Sequence, residues 1–510
     1  VGIPLAVSPT VKTPGLALEV DLKAGAASPG SAPKKGLLVA VKDAAGSITA
    51  DTELLEAVAG EADAATFLGP GSPGHLAFKR LFEEYGLAQI DLVSPADPAG
   101  TAATATYTFG SGPLTNDVTV KAFIQGRKIE VVWLSGETAT QGGDKLAAAI
   151  GALADDLPLS ALNAAGVVTL TFGQTGLIGN DTTLRLETVG LSGSGGTLVL
   201  SGDMGSAVPG AGEADHTTAI STVAGKEYDI ILPVVSNLDA QDGGATSNPG
   251  RWKTDLEQRK SGFTAKLQQV VVGATGALAG LKTGTDALNH ELTQYVFCLE
   301  GESGAYEFGG AEAGARLKAE GLDPAANRIN EAYVATLFGA AVLATDEPTE
   351  VEVEDALNNG ITIVTYEADG TPRPSRPITT YHLDASANPD DRVLDTSRVT
   401  GTFAVAKDLR VNIPREFKGA KLSPDIQAGE DEPPKGVVQE KDVKAFTTQR
   451  VRFWIQQGVV RQDKFNEALE NGSFIVAVDA TDSSQCNIVL PITIFPPLAK
   501  FSTVVQHKVA

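Results

Sequence analysis

With 510 residues and a 42% hydrophobic composition, the chain is long enough for roughly three domains with ordinary packed cores. Its formal charge of −23 excludes a nucleic-acid groove as the main surface, because phosphate binding needs clustered Lys and Arg. No apolar run approaches the roughly 20 residues needed to cross a bilayer, and the N-terminus lacks the basic-then-apolar layout of a signal peptide, so no membrane insertion is expected and a cytoplasm is the expected place of folding.

The predicted elements begin with an alternation. Leu16, Leu18, Val20 and Leu22 stand two apart with Ala17, Glu19 and Asp21 between them, the period of a half-buried strand. A loop rich in Gly, Ala, Ser and Pro covers 24–35. Thr66-Phe67-Leu68 reads as a strand end, 76–85 as a helix carrying Leu76, Phe78, Leu81, Phe82 and Tyr85, and 88–93 as a returning strand. In between, Gly69-Pro70-Gly71-Ser72-Pro73-Gly74 fits GxGxxG, with Asp91 seventeen residues on, the layout of a dinucleotide-binding turn. Two prolines stiffen a loop whose amides would have to cradle a pyrophosphate, and a structural turn is the favoured reading.

Turn-rich segments at 94–100 and 206–212 bracket a region of short β runs, as expected for a β-rich domain threaded into a host domain at a surface loop. Within it, 118–124 and 128–134 flank Gln125-Gly126-Arg127 as a hairpin, a helix occupies 143–153, and 167–172 and 182–187 are strands. From 215 to 366 the pattern is α/β, with buried strands at 228–235 and 267–272 and an alanine-rich helix within 327–344. Farther on, 402–412 and 442–457 are helix candidates, the second stopped by Gly458, and 430–435 is an exposed loop. The closing stretch, Ile488, Leu490, Ile492, Ile494, Phe495, then Pro496-Pro497, Phe501, Val504, Val505 and Val509, reads as two strands. Both ends thus look like strands in need of a sheet. An unpaired strand edge is a template for another chain, which points to assembly before catalysis.

No other local motif for chemistry is complete in the sequence. Gly280-Leu281-Lys282-Thr283 lacks the Gly-Lys pair of a phosphate loop, and His75, His216, His290, His382 and His507 form no HExxH or Cys/His spacing. No catalytic, cofactor-binding or metal-binding residue is assigned, and neither a cofactor nor enzyme activity is expected. Cys298 and Cys486 lie in apolar, strand-like contexts and are read as buried free thiols. After residue 440, eight Lys or Arg stand against six Asp or Glu, which leaves −25 on the first 440 residues. The helix at 442–457 sets Val443, Phe446, Phe453 and Trp454 against Arg452, Gln449 and Gln456, with Lys444 on a flank and Arg461 and Lys464 beyond it. This is either an ordinary amphipathic helix or a face that docks on an acidic partner.

The segments Phe67-Leu68-Gly69-Pro70-Gly71-Ser72, Gly176-Leu177-Ile178-Gly179-Asn180-Asp181, Asn359-Gly360-Ile361-Thr362 and Arg376-Pro377-Ile378-Thr379-Thr380-Tyr381, in that order, resemble the tail sheath proteins of Mu-like contractile phages. So do 402–410, 421–425 and the closing arm, and together they run through nearly the whole chain. The resemblance implies a mixed α/β (α+β) multidomain fold: a discontinuous sheath core with an inserted β-rich domain and extended terminal strand arms. The expected divisions are an N-terminal linking arm (1–23), a middle α/β domain (24–100 with 211–372), an outer insert (101–210), an inner tube-facing domain (373–495) and a C-terminal linking arm (496–510).

The implied function is that of a structural subunit that polymerises helically around a tail tube and contracts to drive it through a bacterial envelope, as part of a virion assembled in the host cytoplasm. Its implied partners are other copies of itself, the tube protein, and baseplate and tail terminator proteins, with no direct nucleic acid. Leu16, Leu18, Val20, Leu22, Ile488, Leu490, Ile492, Ile494, Phe501 and Val505 are the expected subunit-linking strand residues, joined by strand addition. Lys444, Arg452, Arg461 and Lys464 are the expected tube contacts. Alternatives are the sheath of a phage-tail-like bacteriocin or injection system, a dinucleotide-binding enzyme built on Gly69–Gly74, and a capsid or tube protein, for which the insert fits poorly.

Overall fold

Runs such as Ile230–Pro233 and Thr293–Leu299 carry hardly an exposed residue, and a strand buried on both sides belongs inside a sheet covered on both faces. A computed structural model, which describes residues 18–19, 34–262, 265–339, 347–367, 369–425 and 434–499, has such a sheet at its centre. The first part of the body supplies β1 (Leu18–Glu19), β2 (Lys35–Val39), β3 (Leu54–Leu55), α1 (Glu61–Leu68), α2 (Pro73–Glu84) and β4 (Gln89–Val93). The chain then leaves for β5 (Thr104–Ser111), β6 (Val118–Ile124), β7 (Arg127–Trp133), α3 (Ala139–Gly151), β8 (Leu159–Ala164), β9 (Val167–Phe172), β10 (Leu184–Val189) and β11 (Gly196–Leu200). It returns to the body with α4 (Thr217–Thr222), β12 (Ile230–Pro233), α5 (Asn237–Asp242), α6 (Asn248–Arg259), β13 (Ser261–Gly262), β14 (Gln269–Gly276) and α7 (Leu278–Leu288). The body is completed by β15 (Thr293–Leu299), α8 (Ala305–Leu322), α9 (Glu350–Asn358), β16 (Ile361–Tyr366) and β17 (Pro372–Pro374).

The central sheet has the order β17-β16-β15-β14-β12-β2-β4-β3, parallel except for the short edge strands β3 and β17. Its pleat sends alternate residues to two cores. Leu37, Val39, Ile231 and Val272 face Trp252, Leu281 and Phe403 on one side, while Leu38, Ala40, Leu232 and Val271 face Leu76, Phe78 and Phe308 on the other. On the second side α2 and α8 cross at close range. A Cβ added at Gly310 would lie 2.3 Å from the Ala77 carbonyl oxygen, and one at Gly314 would lie 2.4 Å from that of Leu81.

The excursion between β4 and α4 folds around its own core of Tyr107, Phe109, Trp133, Leu146, Val168 and Phe172. One antiparallel sheet has the order β10-β6-β7, the other β11-β5-β9-β8. β6 and β7 are joined by Gln125 (φ +49°) and Gly126 (φ +74°), the two positive-φ residues of a type I′ hairpin turn. That turn is driven into the body. Fully buried Glu307, on the first turn of α8, accepts from Arg127 at 2.7 Å and from Arg80 of α2 at 2.9 Å, and Gln125 donates to Tyr306 at 2.8 Å. Burial would raise the Glu307 carboxyl, but the two guanidiniums outweigh it and hold the group ionised.

Three more carboxyls line the seam between insert and body. Asp181 accepts from the Asn237 amide at 2.7 Å, Glu213 from the Ser236 hydroxyl at 2.7 Å, and Asp239 from the Asn248 amide at 3.2 Å. Burial raises Asp181 and Glu213 to about 7 and Asp239 to about 6, with the neighbouring acids adding to the rise at Glu213.

The C-terminal unit comprises α10 (Thr396–Glu416), β18 (Lys421–Ser423), β19 (Val437–Gln439), α11 (Glu440–Gln456), α12 (Gln462–Glu470), β20 (Ile475–Val478) and β21 (Cys486–Val489). Val405, Leu409, Val451, Trp454, Phe465, Phe474, Ile492 and Ile494 build its core. Asp408 ties its two long helices, accepting from Arg450 at 2.9 Å and from the Trp454 indole at 3.2 Å.

Two expectations are corrected. Thr66-Phe67-Leu68 is the last turn of α1, not a strand end: Ala64 and Leu68 are buried at i, i+4 spacing, Glu61 and Asp63 suit the helix N-terminus, and Gly69 (φ +93°) stops it. The alanine-rich stretch is not helical over 327–339, because its amides are taken elsewhere. Val334 and Ala335 donate to Glu84, Thr336 to Glu83, Phe338 to Ser303 and Asn330 to the Pro374 carbonyl. Residues 340–344 of that expectation lie outside the described residues.

Candidate assembly surfaces

In an open α/β sheet, ligands bind beyond the carboxyl ends of the strands where strand order reverses. Here that point lies between β2 and β12, and the insert fills it. Gln174 donates to the Val41 carbonyl at 2.7 Å, and Leu177 and Ile178 of a short 3-10 turn close in beside Val234 and Glu213. A cavity of about 20 Å³ is left there, room for about one water molecule. The Gly69–Gly74 loop is closed as well. It joins two helices instead of following a strand, its Gly71 amide donates to neutral His75 at 3.0 Å, and a Cβ at Gly71 would lie 2.1 Å from the Ala154 carbonyl oxygen of the insert. Asp91 is buried against Lys35 at 2.6 Å and Tyr228 at 3.0 Å. The dinucleotide alternative therefore has neither its cradle nor its acidic partner.

Glu257, His290 and Glu291 converge closely enough to hold an ion, but Lys260 stands among them, 2.6 Å from Glu257 and 3.0 Å from Glu291, and supplies the positive charge itself. Both cysteines are free: burial raises the Cys298 thiol to about 12 and the half-buried Cys486 thiol to about 11, so neither is a thiolate at neutral pH.

The two ends are the remaining candidates. At the N-terminal end Leu18 and Glu19 pair antiparallel with Gly262 and Ser261 of the same chain, while Leu16, Val20 and Leu22 lie outside the described residues. At the C-terminal end the expected linking strand is used at home. Ile488 pairs with Val476 in β20, Ile494 forms a bridge with Val460, and Ile492 and Ile494 are buried in the unit's own core, with Leu490 packed at its margin. Alternation predicts that such residues need a sheet; it does not say whose. Phe501 and Val505 lie outside the described residues.

The four expected tube contacts differ. Lys444 is half-buried, donating to the Phe474 carbonyl at 2.9 Å over that residue's ring. Arg461 pairs with Asp463 at 2.6 Å and Lys464 with Glu467 at 2.7 Å, so their charges are largely answered locally. Arg452 is exposed with no partner among the described residues, beside exposed Gln449, Phe453 and Gln456 on the outer face of α11.

Over 418 residues the chain is 25% identical to the Mu-like prophage FluMu tail sheath protein of Haemophilus influenzae, a match covering 81% of this chain and 82% of that protein. The chain is similar to a Mu-like tail sheath protein across most of both lengths. Among solved structures, the sheath tail protein of Desulfitobacterium hafniense matches with a TM-score of 0.44 at 14% identity, covering 92% of this chain and 98% of its own. The contracted helical sheath of the anti-feeding prophage matches with a TM-score of 0.41 at 11% identity, covering 98% and 99%. No family model matches the chain.

Around α11 the charge pairing is only partly local in sequence. The acids that answer Arg461 and Lys464 stand two and three residues away and were legible as local pairs. Asp408, which holds Arg450 and Trp454 from another helix, carried no such local signal.

Proposed function

We propose that this chain is the subunit of a contractile tail sheath, polymerising helically around a tube and shortening to drive it through a bacterial envelope. The observation that carries the proposal is the match to a sheath protein over four-fifths of both chains. The architecture is compatible with it: the crevice where an α/β sheet holds a ligand is filled, and the C-terminal unit holds two two-stranded sheets, each strand of which is paired on one side only among the described residues.

In this reading copies are linked by strand addition, main-chain hydrogen bonds holding the joint and alternate side chains setting its register. Since Ile488 to Ile494 serve their own unit, the C-terminal link falls to 496–510, with Phe501 and Val505 as its apolar pegs. The N-terminal link falls to residues before Leu18, which pairs with its own body. The ribbon β20–β21 is the receiving edge, because a two-stranded sheet is marginal alone. Arg452 is the leading tube contact, with Arg461 and Lys464 as weaker ones, each worth ~0–1 kcal/mol so that the sheath can release. Contraction requires no nucleotide if the extended lattice is metastable. Rings rotate in turn as rigid bodies, the links transmit the motion, and 24–35 and Pro496-Pro497 act as spacers. Baseplate and terminator proteins would bound the array, and assembly would precede release from the host cytoplasm.

Electron microscopy of the purified, negatively stained full chain tests the proposal. Rings or tubes are expected; a monomer that copurifies with a nicotinamide or flavin cofactor contradicts it.

A further inference from the structure

The two sheets of the insert present opposite surfaces. Outward from β6, β7 and β10 stand Lys121, Lys128, Glu130, Arg185 and Glu187 together with exposed Val132 and Val189, an ordinary solvated mixture in which Lys121 lies opposite both Glu130 and Glu187. The strands of the other sheet, β11, β5, β9 and β8, contain no Asp, Glu, Lys or Arg at all. In a chain where 20% of residues are charged, their 25 residues would ordinarily hold about five. Alternation turns Tyr107, Phe109, Val168 and Leu170 into the core and leaves Thr104, Thr106 and Thr108 of β5 outside, with Thr104 opposite Thr171 and Thr106 opposite Thr169. Leu162 is 73% exposed on β8, and Val199 is 59% exposed on β11.

We infer that this threonine-lined, charge-free face is a contact surface for a second copy of this chain, an inference that rests on the polymer reading above. Solvent-exposed surfaces normally carry interspersed charges that discourage association, and the cores of protein interfaces are depleted of them. The occupant follows from electrostatics. Copies that each carry −23 repel one another wherever charged surfaces meet, and this face is where close approach juxtaposes no like charges. Its outward residues include no cation for a nucleic-acid phosphate and no aromatic ring for a sugar to stack on. The joint would lie far along the chain from the terminal arms and would add a second link between neighbours at the insert.

The test uses the full chain with Cys486→Ser, leaving fully buried Cys298 as the native thiol, and adds Thr169→Cys or Leu162→Cys, with Lys128→Cys on the charged sheet as control. Maleimide labelling is followed in dispersed subunits and in assembled tubes. The expected result is a labelling rate at least tenfold lower in tubes for Thr169→Cys and Leu162→Cys, and less than twofold lower for Lys128→Cys. Equal labelling of Thr169→Cys in both states overturns the inference while leaving the sheath reading intact, as do normal tubes from a folded Thr106→Asp/Thr169→Asp chain. A parent chain that forms no tubes overturns both.

Discussion

The central sheet and the C-terminal unit treat strand edges in opposite ways. The central sheet ends on β3, two residues long, and β17, three residues long with Pro372 and Pro374 at its ends, both devices that block further pairing. Its faces are buried beneath helices. The C-terminal unit holds two separate two-stranded sheets, β18–β19 and β20–β21, and a further two-residue pair joins β1 to β13. One region is complete as an isolated molecule. The other has a core but no finished sheet, and such a division is what a subunit needs if it folds alone and is linked afterwards.

The sharpest way to break the closed region is to unlock the insert. Arg127→Ala leaves Glu307 buried with only Arg80 beside it, and a loss of about 3–5 kcal/mol in urea unfolding is expected. A smaller loss, about 2–3 kcal/mol, is expected for Gly310→Val, whose added carbons meet the Ala77 backbone and force α8 away from α2. Neither change should alter the C-terminal unit's own contacts.

Next in size is a pH effect at the seam. Asp181 and Glu213 titrate near 7 in the folded chain and near ordinary carboxyl values when unfolded, so between these the folded state holds the extra protons and stability falls as pH rises. The window to read is pH 6.5–8, because burial lowers His75, His216 and His290, whose contribution has the opposite sign and fades as pH rises past the unfolded imidazole value of about 6.5. The urea midpoint should drop across that window, and Asp181→Asn should flatten the drop by about 0.5–1 kcal/mol. A drop unaffected by Asp181→Asn would remove the seam from the explanation. The smallest effect on folding belongs to the open region: Arg452→Glu should change stability by under about 0.5 kcal/mol while weakening retention of the sheath on its tube in a salt-dependent manner.

Legibility followed the same division. In the central sheet the strands at 88–93, 228–235 and 267–272 were readable because burial on both faces leaves near-continuous apolar runs, as in Gln269–Gly276, whereas β2 and β16 went unread; the 125–127 turn and the helix read at 442–457 were readable from local chemistry. The segment 327–339 was not, because Glu83 and Glu84, some 250 residues away in sequence, claim its amides and override helix propensity. At the candidate surfaces periodicity identified Ile488, Ile492 and Ile494 as residues requiring cover, yet the cover comes from Val460, Val476 and Phe465 in the same unit. In the insert's charge-free sheet a compositional signal went unread, because the missing charges become visible in the strands only once their pairing is known.

The central claim, that subunits are joined through their terminal segments, is tested most directly by a chain ending at Pro496, compared with the full chain by unfolding midpoint and by negative-stain electron microscopy. The account predicts an unchanged midpoint and no tubes. Tubes of normal length and width from the shortened chain would contradict it.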